Sequence, residues 1–418
     1  MTQKNNSYPF SAISGQGEMK LSLLLNLVDS NVGGVYICGS RGSGKSTAVR
    51  ALSEILPQID SFKGDPYSNK PDKNQDPSLL DKIIKNSKLI IAKQIPFVDL
   101  PLGTTEDRLF GTIDIEKALT SGEKSFEPGI LASVNNGILY IDEVNLLEDH
   151  LVDNLLDSAA SGITTVECEG VSIRHPAKFI LIGSGNPEEG ELRPQLADRF
   201  GLYVDVTTPR NLDDRLQITK RRTEFDENPK EFLAKWSGAQ KKLKQRIRRA
   251  RQVLPKVVIS GDMKEKIGQI CRDTEVDGLR GDLVLTRAAS AHAALHGRTI
   301  VNPHDIYCVA TLCLWHRMQS DPMKGSENSF LEIRCLKFQR ISLLILKYFP
   351  DATDYWNDGF FETVENPIDA FEGTSEKKKT SKNNTFLDDY SFNRIELEDM
   401  EELAKRKWRE YTNRPYPD

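Results

Sequence analysis

The sequence predicts an α/β fold: a parallel sheet with helices on both faces, carrying a helical and a β-hairpin insertion, followed by an all-α domain. Three observations carry this expectation. Short apolar runs alternate with helical periodicity through the first half of the chain, a glycine-rich loop separates the first run from its helix, and from Arg210 onward the pattern is helical alone.

Four runs read as buried parallel strands: Gly34 to Cys38, Gly137 to Ile141, Phe179 to Gly183 and Leu202 to Val206. Phe97 to Leu100 is a fifth, weaker one. Helical spacing of apolar residues fills Met19 to Val28, Ser46 to Leu56 and Leu146 to Ala160. Two stretches interrupt the alternation. Between Leu102 and Gly129 a glycine-punctuated segment holds a helical pattern, Asp114 to Thr120. Ile163 to Val166 and Val171 to Ile173 flank Glu169-Gly170, which predicts a β-hairpin.

Past Arg210, Lys230 to Leu254 predicts one long charged helix. Ser260 to Arg272, Asp282 to Leu295 and Pro303 to Arg317 predict a three-helix unit. Asn302 before Pro303 is a start signal, a capping side chain followed by a proline whose missing N–H costs nothing at the first helical position. The expected domains are 1–210 (nucleotide-binding α/β), 211–256 (helical linker), 257–323 (helical lid) and 324–418 (a C-terminal extension). Within the extension, Leu331 to Phe349 is amphipathic and reads as packed. Gly373 to Thr385 is polar, low in complexity and expected to be disordered, and Arg394 to Glu410 is a charged helical pattern.

Composition excludes several classes. The net charge of −5 over 418 residues argues against sequence-independent nucleic-acid binding, which needs a cationic surplus. The six cysteines form no Cys-x-x-Cys pair, so neither a zinc ribbon nor a secreted disulfide framework is indicated. A reducing compartment follows. The most apolar window, Ile341 to Phe349, is too short to span a bilayer, which takes about 20 residues. The N-terminus has no apolar signal-peptide core and leaves no room for a transit peptide before the domain begins near Pro9.

The chemistry concentrates in a few places. Gly39-Ser40-Arg41-Gly42-Ser43-Gly44-Lys45-Ser46, with Thr47 following, fits Gly-x-x-x-x-Gly-Lys-Ser/Thr between a strand and a helix. Its glycines let successive N–H groups face phosphates; Lys45 would reach the β- and γ-phosphates and Ser46 would ligate Mg²⁺. Ile138 to Ile141 delivers Asp142 and Glu143 at a strand's C-terminal end, where open-sheet ligands bind. Asp142 would hold Mg²⁺, and Glu143 would orient or deprotonate the attacking water. Asn186, in Gly183-Ser184-Gly185-Asn186-Pro187, would hold that water, the alternative being an Asn-Pro turn. Arg199, just before the last strand, and Arg280, opening a lid helix, would stabilise charge on the transferring phosphoryl group; each alternatively makes a surface ion pair.

Other features read as structural. His292 and His296 share a helix face, but no Glu lies between them in a His-Glu-x-x-His pattern and no third ligand is evident. Lys241 to Arg251 carries seven basic residues around an apolar stripe, the pattern of a solvated helix face, with a surface for an acidic partner as the alternative.

The segments between these motifs resemble the magnesium chelatase I family of AAA+ ATPases. The resemblance rests on Val98-Asp99-Leu100-Pro101-Leu102-Gly103, Thr105-Glu106-Asp107-Arg108, Phe126-Glu127-Pro128-Gly129, Tyr140 to Leu147, Ser172 to Ala177 and Asn186 to Gln195, and it runs from about Pro9 to Pro322. It implies an AAA+ core with a helical lid, assembled as a hexameric ring that uses ATP and Mg²⁺. The partners implied are a D subunit and a large H subunit that holds protoporphyrin IX and performs the chelation. By the same resemblance the arginine finger falls on Arg199, the sensor 2 arginine on Arg280, and Gln16 lies near the adenine. Ala197 stands where the family usually has leucine, Ser40 where it has aspartate and Ser43 where it has threonine; none of these removes a phosphate-binding group. The extension has no counterpart in the pattern.

Function is therefore expected to be that of a chelatase motor in a plastid stroma, plastid-encoded on the strength of the Lys/Asn-rich tail and the expected absence of a transit peptide, with a bacterial cytoplasm as the alternative. The competing readings are a remodelling ATPase of the MoxR or cobalt-chelatase S type with a protein client, and a nucleic-acid motor sharing these insertions.

Overall fold

The computed structural model describes residues 7–56, 58–62, 90–113, 126–168, 171–190, 192–209, 212–276 and 278–318, together with 337, 340–345 and 347–349. The helix expected over Asp114 to Thr120, the hairpin tip Glu169-Gly170, the low-complexity run Gly373 to Thr385 and the helix expected over Arg394 to Glu410 lie outside these residues. The chain divides into two compact units, one ending at Pro255 and one starting at Lys256.

The first unit is built on five parallel strands: β1 (Val35–Gly39), β2 (Phe97–Leu100), β3 (Ile138–Ile141), β4 (Ile180–Gly185) and β5 (Leu202–Val206), in the spatial order β5-β1-β4-β3-β2. All five match predicted runs. β1, β3 and β4 are buried along their whole length, which is why they read as continuous apolar segments rather than as alternating ones. The adjacent strands β1, β4 and β3 run parallel, so the loops leaving their C-terminal ends lie along one edge of the sheet.

Helix α1 (Gly17–Val28) precedes β1 and is buried over most of its circumference; α2 (Lys45–Ala51) follows β1, and α3 (Asp149–Ser161) follows β3. The predicted hairpin is present, Ile163–Cys168 pairing antiparallel with Val171–Pro176. Two further antiparallel ladders went unpredicted: Gln58–Phe62 with Ile90–Gln94, and Gly111–Ile113 with Phe126–Pro128. A short helix, α4 (Pro194–Arg199), leads into β5.

Two helices close the first unit, α5 (Leu212–Glu227) and α6 (Pro229–Val253), separated by Asn228, whose side chain accepts from Glu231 N–H at 3.3 Å. They pack on the N-terminal segment. Phe225 and Phe232 bury against Ala12 with Tyr8 and Trp236 alongside; Ser11 N–H donates to Gln240 Oε1 at 3.0 Å, and Arg221 donates to the Ala12 carbonyl at 3.1 Å. These contacts anchor residues 8–14 and so fix the approach to Gln16.

The second unit contains α7 (Gly261–Asp273), α8 (Arg280–Leu295) and α9 (Pro303–Leu314). Asn302 and Asp305 form a reciprocal capping box around Pro303, as the start signal predicts. Asp305 does more than cap: it is fully buried, His292 Nδ1 lies 2.6 Å from its Oδ1, and Arg298 Nη1 donates to its Oδ2 at 2.7 Å. His292 thus has a structural partner, and no metal-ligating cluster occurs among the described residues. Ile341, Ile345 and Phe349 are buried in this unit, and Arg340 Nη2 donates to the Asp273 carbonyl at 2.7 Å. Among the described residues no helix is long and apolar enough to cross a membrane.

Candidate active site

The loop after β1 turns through two left-handed glycines, Gly42 at φ 76° and Gly44 at φ 85°, a conformation that an L side chain enters at a cost of about 1–2 kcal/mol per residue. This curls the backbone so that α2 begins at Lys45. Lys45 is nearly buried and folds back over the loop, Nζ donating to the carbonyls of Gly39 and, at 2.9 Å, Ser40. Burial holds its ammonium below the ordinary lysine value. Ser43 Oγ donates to the Ser40 carbonyl at 2.8 Å, and Gln16 Nε2 donates to the Ser43 carbonyl, tying the α1 entry to the loop.

A cleft of about 270 Å³ opens over this loop, lined by Arg41 to Thr47 together with Glu143, Gly185 and Asn186. Loop, acid and amide thus come from β1, β3 and β4, three neighbouring strands. At its base Ser46 Oγ donates to Asp142 Oδ2 at 3.0 Å. Asp142 also accepts from Ser184 Oγ at 2.6 Å and from Tyr140 Oη at 2.8 Å, both on Oδ1. Burial alone would raise its pKa. The hydrogen bonds from Ser184, Tyr140 and Ser46, with the charge of Arg50, outweigh burial and hold it below the usual carboxylate value.

Glu143 takes a left-handed backbone at φ 58°, and its N–H donates to Ser184 Oγ at 3.2 Å. A strained non-glycine residue at the end of a ligand-facing strand is a recurrent mark of a working site. Asn186 is 2 % exposed; its Oδ1 accepts from Glu188 N–H at 3.3 Å while its Nδ2 has no hydrogen-bond partner. A buried amide donor left open at a cleft wall fits an oxygen-rich ligand or its attacking water. The positively curled loop, the lysine, the hydroxyl–carboxylate pair and this open donor together fit a magnesium-bound nucleoside triphosphate.

Two stretches of the chain match known domain families. Residues 86–200 match the AAA domain of the dynein-related subfamily, and residues 264–332 match an AAA lid domain. The chain is 56% identical over 330 residues to the chloroplastic magnesium-chelatase subunit ChlI of Glycine max, covering 78% of each chain. It is 54% identical over 336 residues to magnesium-chelatase subunit ChlI of Euglena gracilis, covering 79% of this chain and 97% of that one. It is also 50% identical, over 76% of its length and 98% of the other, to a chain of the magnesium chelatase BchI–BchD complex studied by cryo-electron microscopy, with a TM-score of 0.45. The chain belongs to the magnesium chelatase subunit I family.

Within this family frame, Arg199 stands apart from the cleft residues. Arg199 ends α4 and turns to α3, where it pairs with Asp157 and lies 3.5 Å from Asp153. It does not line the cleft of its own chain. Arg280 is the first residue of α8 in the second unit. Arg41, on the loop, pairs with Glu189 in the turn after Asn186.

Sequence reading missed Ser184, Tyr140 and Arg50. Arg50 Nε donates to Asp99 Oδ2 at 2.8 Å, and its Nη2 lies 3.8 Å from Asp142 Oδ2. A signal for Ser184 did exist: β3 and β4 pair with Ile141 opposite Gly183, so the next step sets Asp142 beside Ser184. Using it required the strand order.

Proposed function

We propose that the chain is the ATP-hydrolysing motor subunit of magnesium chelatase, coupling hydrolysis to insertion of Mg²⁺ into protoporphyrin IX. AAA domains use ATP with Mg²⁺, and this chain carries the residues such use requires. One observation carries the reading. In a chain of this family, the Ser46 hydroxyl and the Asp142 carboxylate face each other at 3.0 Å below a cleft that also holds Lys45, Glu143 and Asn186.

Bound Mg²⁺ would supply charge neutralisation at the β- and γ-phosphates; Ser46 and Asp142 are the residues to hold it. Loop N–H groups from Gly42 to Ser46 orient the phosphates, with Lys45 turning from the loop carbonyls toward them. Glu143 takes up the proton of the attacking water or orients it, and Asn186 Nδ2 donates to that water or to the γ-phosphate. Gln16 stands by the adenine. Arg199, supplied to a neighbouring copy, and Arg280, from the lid, complete the charge stabilisation.

The assembly proposed is a hexameric ring of this chain working with a D subunit and a porphyrin-holding H subunit, so that protoporphyrin IX is met only indirectly. The compartment proposed is the chloroplast stroma, with a bacterial cytoplasm as the alternative. The test is reconstitution: this chain, D and H subunits, ATP, Mg²⁺ and protoporphyrin IX, followed by magnesium-porphyrin fluorescence. Magnesium porphyrin formed only with this chain present is expected. ATPase activity without any magnesium porphyrin would favour a remodelling ATPase with a protein client.

A further inference from the structure

Asp142 uses its two carboxylate oxygens differently. Oδ1 accepts the protons of Ser184 and Tyr140, two hydroxyls with no solvent exposure. Oδ2 is the nearer oxygen to Ser46 Oγ, at 3.0 Å against 3.3 Å for Oδ1, and lies 3.8 Å from the Arg50 guanidinium. One oxygen is fastened and the other is presented toward the metal-binding hydroxyl.

Ser184 has one proton and two lone pairs. Its 2.6 Å contact commits the proton to Asp142 Oδ1, and a lone pair accepts Glu143 N–H at 3.2 Å. A single side chain on β4 therefore ties down both acids at the end of β3. The strand beneath it has little room to move: a Cβ at Gly185 would sit 2.0 Å from Tyr36 Oη, so β4 lies directly on that ring. Asn186 follows two residues after Ser184 on the same strand end.

We propose that Ser184 is a positioning residue for nucleotide-bound metal, fixing the Asp142 carboxylate by Oδ1 so that Oδ2 and Ser46 Oγ form the metal-binding edge, and holding the Glu143 backbone in the same grip. Tyr140 assists through its hydroxyl. The inference rests on the ATP-hydrolysis reading of this cleft, and it assigns no direct contact between Ser184 and nucleotide.

The test is titration of the full chain with a fluorescent N-methylanthraniloyl ADP, once with Mg²⁺ and once with EDTA, checking the fold by circular dichroism. Ser184→Ala is expected to weaken binding about tenfold in the Mg²⁺ arm, the size of one lost hydrogen bond to a charged group, while leaving the EDTA arm unchanged. Tyr140→Phe keeps the ring packing and should shift the Mg²⁺ arm in the same direction. Equal weakening in both arms would make Ser184 a packing residue and overturn the proposal, as would an unchanged Mg²⁺ arm. If Ser184→Ala does not fold, Tyr140→Phe decides by the same criterion. Wild-type protein that binds in neither arm would sink the ATP-hydrolysis reading itself, and this inference with it.

Discussion

Arg199 is held by Asp157 of its own chain, with Asp153 one helical turn away on the same face of α3. Both carboxylates are substantially exposed, and such pairs contribute little to stability. The arrangement keeps the guanidinium away from its own cleft, which suits an arginine offered to a neighbour. Arg199→Ala is expected to lower turnover by about 10³-fold, and only when the mutant subunit is the donor. Mixed rings of Arg199→Ala and Lys45→Ala subunits check this: loss that does not depend on which subunit donates would remove Arg199 from the role.

Lys45 holds two loop carbonyls, and in the proposed reading it exchanges them for a charged phosphate. Lys45→Ala should therefore weaken ATP binding by about a hundredfold while leaving the fold intact, because the loop glycines keep their conformation. Isothermal titration with ATP measures it; affinity within a few-fold of wild type would place the phosphates elsewhere.

Glu143→Gln keeps the backbone N–H that Ser184 accepts and removes only the proton-accepting oxygen. Binding of ATP should persist, and single-turnover hydrolysis should fall by about 10² to 10⁴-fold. A variant that still turns over at the wild-type rate would exclude Glu143 as the base.

Much of this is legible in the sequence, for identifiable reasons. β1, β3, β4 and β5 are buried apolar runs, and the loop and Asp142-Glu143 are contiguous in sequence. Sequence alone does not delimit α5, because Phe225 is its one buried residue and it lacks an apolar stripe. Among the described residues the ladder Gln58–Phe62 with Ile90–Gln94 pairs with no further strand, and Ile91 is among its exposed residues. Ser184, Arg50 and the Asp157 partner of Arg199 are joined to the site by strand register and helix packing. No local pattern encodes that.

The segment around Ile341 to Phe349 reads as packed, and the structure buries Ile341, Ile345 and Phe349 in the second unit. Losing three such side chains costs about 1.5–3 kcal/mol each, an upper estimate since unfolded chains already bury some surface. A chain stopped after Lys324 should melt well below one stopped after Phe349. Equal unfolding midpoints by calorimetry would show that the segment adds nothing to the lid.

His304 gives the second unit a pH dependence whose sign can be worked out. It is 5 % exposed, and burial, reinforced by His292 and Arg298 nearby and opposed by Asp305, pushes its pKa down to about 4. An unfolded histidine titrates near 6.5, so between pH 6.5 and 4 the unfolded chain binds the extra proton and the folded chain refuses it. Its contribution is present above pH 6.5 and is lost as pH falls toward 4, by about 3 kcal/mol. Asp305, held down to about 2 against burial by His292 and Arg298, adds a further loss only below the ordinary carboxylate range. His304→Gln carries no titrating group and should flatten the upper window while leaving the Asp305 window in place. Urea unfolding followed by circular dichroism from pH 7 to pH 2 measures both chains; parallel curves between pH 7 and pH 4 would mean that His304 stays neutral in the unfolded state too, or charges without cost in the folded one.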